Sequence, residues 1–154
     1  MPDQIIVSRA PFSLADAYAA YAQCPQAGAL VSFVGRMRDI NEGDEVTGLT
    51  LEHYPGMTEA VLAELVQRAR ARWSLEGVTL IHRVGDFAPC DEIVLVMVAS
   101  RHRGEAFAAC EFLMDILKTQ APFWKKETLR DGSSRWVEHR ASDQQAAGRW
   151  RQEA

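Results

Sequence analysis

Lys118, Lys125 and Lys126 flank Pro122 in the run Leu117-Lys118-Thr119-Gln120-Ala121-Pro122-Phe123-Trp124-Lys125-Lys126-Glu127. Ammonium groups set beside aromatic side chains can hold an anion and, once partly desolvated, move a proton. Two further basic groups belong with them. Arg101-His102-Arg103 follows the apolar run Glu92–Ser100 and precedes a helical pattern, so guanidinium forks and free backbone N–H groups would converge on a phosphate or carboxylate. Arg36, Met37 and Arg38 follow a second apolar run, 29–34; an extended backbone there puts both arginines on one face. Each patch alone also reads as a solvated loop, and Lys118 alone as a cation complementing a helix C-terminus. Together they point to a pocket for a small anion.

The elements that must position these groups alternate between helix and strand. Ala106, Phe107, Cys110, Leu113, Met114 and Leu117 recur at helical spacing, and Pro122 disfavours helix at Ala121, which predicts a helix ending at Thr119 or Gln120. Lys118 then occupies the last turn on the flank of the apolar stripe, one turn beyond Met114. After Pro122, strand alternation sends Phe123, Lys125 and Glu127 to one face and Trp124, Lys126 and Thr128 to the other, so Lys125 and Lys126 cannot face the same pocket. Asp131-Gly132 predicts a hairpin to a strand at 135–138.

Upstream, Ile5-Ile6-Val7 reads as a strand, and Ser13 with Asp16 three residues on predicts a helix through about Ala22. The acidic segment 39–45 reads as a loop leading to a strand at 46–54. Thr58 is the predicted cap of a helix carrying Val61, Leu62, Leu65, Val66, Ala69 and Trp73. Strands at 78–84 and 92–100, joined through 85–91, suit a hairpin-type connection. The class is α+β with a mixed, largely antiparallel sheet and flanking helices. Residues 1–141 form a single domain and 142–154 a polar tail. Trp124, Trp136 and Trp150 belong either to the core or to a subunit interface.

With 154 residues, 47% of them hydrophobic, the chain can bury one substantial core. Its formal charge of −4 makes the basic clusters local features and argues against nucleic acid as a partner. No segment has the length and apolar content of a membrane span, and no secretory leader is evident, so a cytoplasmic protein is expected. Cys24, Cys90 and Cys110 are widely spaced with no histidine at a ligand interval; neither a disulfide framework nor a metal site is expected. His53, His82, His102 and His139 are scattered, and only His102 shares a motif with other candidates.

Four runs carry a resemblance: Leu51-Glu52-His53-Tyr54-Pro55-Gly56-Met57-Thr58, Ile81-His82-Arg83-Val84-Gly85, Ser100-Arg101-His102-Arg103 and the lysine run from Leu117 to Glu127. They are similar to the large, catalytic subunit of molybdopterin synthase, from about Ile6 to the segment Ser142-Asp143-Gln144-Gln145. The resemblance implies an α/β-hammerhead fold and a dimer of large subunits, each binding a small ubiquitin-like sulfur-carrier subunit in a heterotetramer. The implied reaction moves two sulfurs from a thiocarboxylate on the carrier's C-terminal glycine to cyclic pyranopterin monophosphate, forming the molybdopterin dithiolene. No cofactor is implied. The resemblance makes Lys118 and Lys125 the catalytic lysines. Arg38, His102 and Arg103 would bind the cyclic phosphate, with Arg36 and Met37 alongside; Lys126 and Glu127 would line the substrate pocket, and Arg140 would reach the neighbouring subunit's site. Two departures stand out: Cys90 where glycine is expected, and Arg36 where lysine also occurs.

Overall fold

The computed structural model describes residues 3–137, 141–148 and 150. The chain runs β1 (Gln4–Ser8), α1 (Leu14–Ala19), β2 (Ala29–Arg36), β3 (Ile40–Asn41), β4 (Asp44–His53), α2 (Met57–Arg72), β5 (Gly77–Arg83), β6 (Gly85–Phe87), β7 (Glu92–Ser100), α3 (Arg103–Gln120), β8 (Phe123–Leu129), β9 (Ser134–Val137) and α4 (Ala141–Gly148). One sheet has the order β1-β5-β7-β2, with β1 and β5 parallel and the other pairs antiparallel. The second has the order β3-β4-β8-β9, with β6 also paired to β4 and every pairing antiparallel. This is the mixed, largely antiparallel α+β architecture expected from the sequence.

The central strands of the first sheet, β5 and β7, are buried on both faces. The β7 residues Val94, Val96 and Val98 pack with Leu62, Leu65, Val66 and Ala69 of α2 and with Ala109, Phe112, Leu113 and Ile116 of α3. Leu95, Met97 and Ala99 point the other way, to Ala17 and Tyr21. That is why Ile93-Val94-Leu95-Val96-Met97-Val98 reads as an unbroken apolar run. A third cluster, Met37, Val46, Leu51 and Phe87, fills the inner side of the second sheet.

Several expectations shift by local physics. Ser13 caps α1, its hydroxyl accepting from the Asp16 N–H at 3.1 Å, but the helix ends at Ala19. Thr58 is not the cap of α2: Gly56 takes that place with φ 84°, and the Glu59 carboxylate accepts from the Gly56 N–H at 3.1 Å. Thr58 is buried as the second residue of the helix. The 85–91 segment is not all connection, because Gly85–Phe87 forms β6 against β4 and leaves only residues 88–91 as the turn. The described part of the polar tail includes α4, and Ala147 and Trp150 join the main core. Trp150 meets Trp73 and Phe112 edge-on, and Arg72 lies 4.7 Å over the Phe112 ring while donating to the Trp150 carbonyl at 2.6 Å. Of the other tryptophans, Trp124 packs at 4.6 Å on Tyr54, and Trp136 is 65% exposed.

Cys90 has φ 79°, the left-handed conformation that suits glycine. Its place in the turn is fixed by its N–H on the Met37 carbonyl at 3.0 Å and by its own carbonyl, which accepts from Arg36 Nε at 3.2 Å. Cys90→Gly is therefore expected to stabilise the protein by roughly 0.5–1 kcal/mol, the relief of left-handed strain exceeding the added chain entropy of glycine, as urea unfolding would measure.

Candidate active site

The two sheets and the C-terminal end of α3 enclose a cavity of about 230 Å³. Its apolar wall includes Met37, Leu49, Leu51, Val94, Leu117, Ala121 and Phe123; its polar groups include Arg36, Arg38, Asn41, His82, Lys118, Lys125, Glu127 and Asp143. Each polar group arrives by a separate route. A bulge between Gly35 and Arg36 shifts the β2–β7 register before its last pair, Arg36 with Glu92, and from there both arginines border the cavity while Met37 is buried. A Cβ at Gly35 would lie 2.6 Å from Val94 Cγ1, so only glycine lets β2 approach β7 here.

Lys118 comes from the last turn of α3, which ends at Gln120 before Ala121 and Pro122 turn the chain into β8. Lys125 follows on the inward face of β8, opposite Leu51 of β4. The junction between them is pinned by Thr58. Its buried hydroxyl accepts from the Tyr54 N–H at 3.1 Å and donates to the Pro122 carbonyl at 3.4 Å. Thr58→Val keeps the shape and removes both bonds. It is expected to cost about 1–3 kcal/mol in urea unfolding, because the Tyr54 N–H loses its partner.

Glu127 borders the cavity, but both of its carboxylate oxygens are engaged. Oε2 accepts from Asn41 Nδ2 at 3.0 Å and Oε1 from Arg135 Nε at 3.0 Å. Arg135 in turn reaches Asp44 at 2.8 Å and the Asn41 carbonyl at 3.0 Å. Glu127 thus ties β3 and β9 to β8 and shapes the wall; sequence spacing gave no sign of these partners.

His82 was absent from the candidates. It is buried on β5, its ring stacked on Phe123 at 3.9 Å and 18°, with Nδ1 2.8 Å from the Arg83 carbonyl. Burial holds its pKa down at about 3, and the charges of Lys118 and Lys125 and the neighbouring His53 push the same way. The ring is neutral at physiological pH. Its stacking partner Phe123 lies within the lysine run, the local signal that could have drawn attention to it.

Other candidates lie elsewhere. Lys126 projects from the opposite face of β8, 5.9 Å over the exposed Trp136 ring, so the expectation that it lines the pocket gives way to strand alternation. His102 is the N-cap of α3 and Arg103 its first residue; at about 1.5 Å per residue they stand roughly 22 Å along the helix from Lys118. The structure does not bring them to this cavity within one chain. Arg140 lies outside the described residues. Among the described residues, no cluster of three or more His, Cys, Asp or Glu side chains could hold a metal ion. Cys110 is buried, its thiol pushed up to about 11 by desolvation.

A cavity lined by two arginines and by a lysine from each of two elements suits an anionic substrate that must be held while charge develops on it. Residues 7–120 match the family model described as MoaE protein. The chain belongs to the MoaE family. Curated MoaE relatives include the molybdopterin synthase catalytic subunit of Vibrio cholerae serotype O1, 57% identical over 97% of this chain and 99% of that one. The subunit of the same name from Escherichia coli strain K12 is 56% identical over 96% and 97%. Among solved structures, the molybdopterin biosynthesis MoaE protein from Burkholderia ambifaria superposes with TM-score 0.81 at 48% identity, covering 96% of this chain and 97% of that one. Molybdopterin synthase from Staphylococcus aureus superposes with TM-score 0.79 at 30% identity, covering 86% and 96%. The MoaE match includes the end of α3 with Lys118 and stops short of β8 with Lys125.

Proposed function

We propose that this chain is the catalytic subunit of a molybdopterin synthase, transferring two sulfurs, one from each of two thiocarboxylated copies of a small ubiquitin-like carrier, to cyclic pyranopterin monophosphate. The observation that carries the reading is the convergence of Arg36, Arg38, Lys118 and Lys125 on one cavity, in a chain 57% identical to a named catalytic subunit. Arg38, with Arg36 beside it, holds the cyclic phosphate and stabilises the charge that develops as the ring opens. Lys118 and Lys125 hold the thiocarboxylate and serve proton transfer as sulfur adds to the pterin side chain. Sulfur arrives with the carrier, so the chemistry needs no thiol from this chain. Met37 and Glu127 shape the wall against which the substrate rests.

His102 and Arg103 serve this site only from a second copy, because the length of α3 separates them from Lys118 within one chain. That supports a dimer of large subunits, each with a carrier, as the working assembly. Mixing inactive Lys118→Ala and His102→Ala/Arg103→Ala proteins should restore activity, since some mixed dimers would hold one intact site; mixtures as inactive as their components would remove the trans arrangement. A cytoplasmic location goes with this reading, as do the three cysteines, none of them in a disulfide. No helix among the described residues is long and apolar enough to cross a membrane.

The direct test is to combine the purified chain with cyclic pyranopterin monophosphate and thiocarboxylated carrier and follow molybdopterin by mass spectrometry. Product that depends on all three components is expected. No product from a folded chain that binds active carrier would overturn the assignment.

A further inference from the structure

Strands β3 and β9 stand at opposite ends of the order β3-β4-β8-β9, yet Arg135 of β9 donates from Nη2 to the Asn41 carbonyl of β3 at 3.0 Å. The sheet is therefore curled, and this contact closes its open side. Each nitrogen of the guanidinium fork has its own acceptor. Nε meets Glu127 Oε1 at 3.0 Å on the neighbouring strand β8, and Nη1 meets Asp44 Oδ2 at 2.8 Å where β4 begins. Glu127 continues the chain of bonds to Asn41 Nδ2 at 3.0 Å, so β3 is held both by its backbone and by its side chain. Elsewhere the β3–β4 hairpin is held lightly. β3 has two residues, its turn is left-handed at Glu42 (φ 52°) and Gly43 (φ 82°), and the Arg130 N–H on the Glu45 carbonyl at 3.2 Å is reinforced by an exposed Arg130–Glu45 ion pair, a kind that stabilises little.

We propose that Arg135 is a positioning residue of this site: by closing the sheet between β9 and β3 it fixes the segment that carries Arg38, and so sets where the substrate's phosphate is received. The inference deepens the sulfur-transfer reading and rests on it for its catalytic meaning. Arg135 is not on the cavity wall, whereas Arg36, Met37, Arg38, Ile40 and Asn41 are. That segment is anchored near its start by Met37, whose N–H donates to the Asp91 carbonyl at 2.9 Å and whose carbonyl accepts from the Cys90 N–H at 3.0 Å. Its far end is Asn41, the residue that Arg135 and Glu127 hold, and Arg38 lies between the two anchors. The planar fork is what three separate acceptors require. A lysine ammonium would keep the charge without reaching all of them.

The test uses the full chain as wild type, Arg135→Gln, Arg135→Lys and Asp44→Ala, the last removing one acceptor at an exposed position of the hairpin. Amide hydrogen exchange followed by mass spectrometry should quicken about tenfold across residues 39–46 in both Arg135 variants, and less in Asp44→Ala, with α3 and β7 unchanged. Wild-type exchange at 39–46 in whichever variants fold overturns the inference, with or without turnover. So does quickening spread evenly over the chain, which would make Arg135 a contributor to global stability alone. Where wild type forms molybdopterin, KM for cyclic pyranopterin monophosphate should rise about tenfold in both Arg135 variants while kcat changes less than about threefold, because Lys118 and Lys125 arrive on other elements. A wild-type KM in Arg135→Lys would mean that charge alone serves, and would overturn the positioning role. Wild type without product would sink the sulfur-transfer assignment alone.

Discussion

Lys118→Ala is expected to leave the protein folded and able to bind its carrier while molybdopterin formation falls by on the order of a hundredfold to a thousandfold, the range typical of a lost electrostatic or proton-transfer group. The side chain stands at the exposed end of α3 and contributes nothing to the buried helix face formed by Ala109, Phe112, Leu113 and Ile116. Its removal therefore makes no core cavity, and the unfolding midpoint should change little. Turnover by mass spectrometry and carrier binding by calorimetry separate the two effects. Turnover within threefold of wild type would take the catalytic role away from Lys118.

The second large effect is on stability in mild acid. His82 has its pKa lowered from 6.5 to about 3, first by desolvation and then by the charges of Lys118, Lys125 and His53. The unfolded chain takes up a proton near pH 6.5 that the folded chain refuses until about pH 3, so the unfolded state binds more protons between those values. The contribution is fully present above pH 6.5 and is lost as pH falls toward 3. The slope approaches about 1.4 kcal/mol per pH unit, which gives roughly 2 kcal/mol between pH 6.5 and 5, before most carboxylates titrate. Urea unfolding of wild type and of the non-titrating His82→Gln across that window isolates the term. Parallel slopes would mean that His82 is protonated in the folded protein.

Much of this site could be read from local pattern. Apolar spacing and Pro122 located the end of α3 and put Lys118 in its last turn, and strand alternation separated Lys125 from Lys126, because both signals depend only on backbone geometry over a few residues. What escaped depends on partners far along the chain. Glu127 is explained by Asn41 and Arg135, the former 86 residues away. His82 looked like one histidine in an apolar strand until the fold stacked Phe123 on it and put it in one cavity with Lys118 and Lys125. Thr58 was misread as a cap because its bond to Pro122 crosses 64 residues. His102 and Arg103 share a motif with the helix that carries Lys118, yet the rise of that helix separates them, a reminder that neighbours in pattern can stand at opposite ends of one element.

The short strand β6 has a mechanical consequence. Between Arg83 and Gly85 the backbone leaves one sheet and joins the other with only Val84 between, and Val84 is itself anchored by its N–H on the Ser8 carbonyl at 3.0 Å. The two sheets are stitched again by the turn at 88–91 and by residues 37–39 between β2 and β3. Walls joined at three tight seams have little freedom to hinge apart, so the space between them exists before any ligand enters. Binding then needs little rearrangement of backbone, and its free energy can go into orienting the reacting groups instead of assembling the chamber.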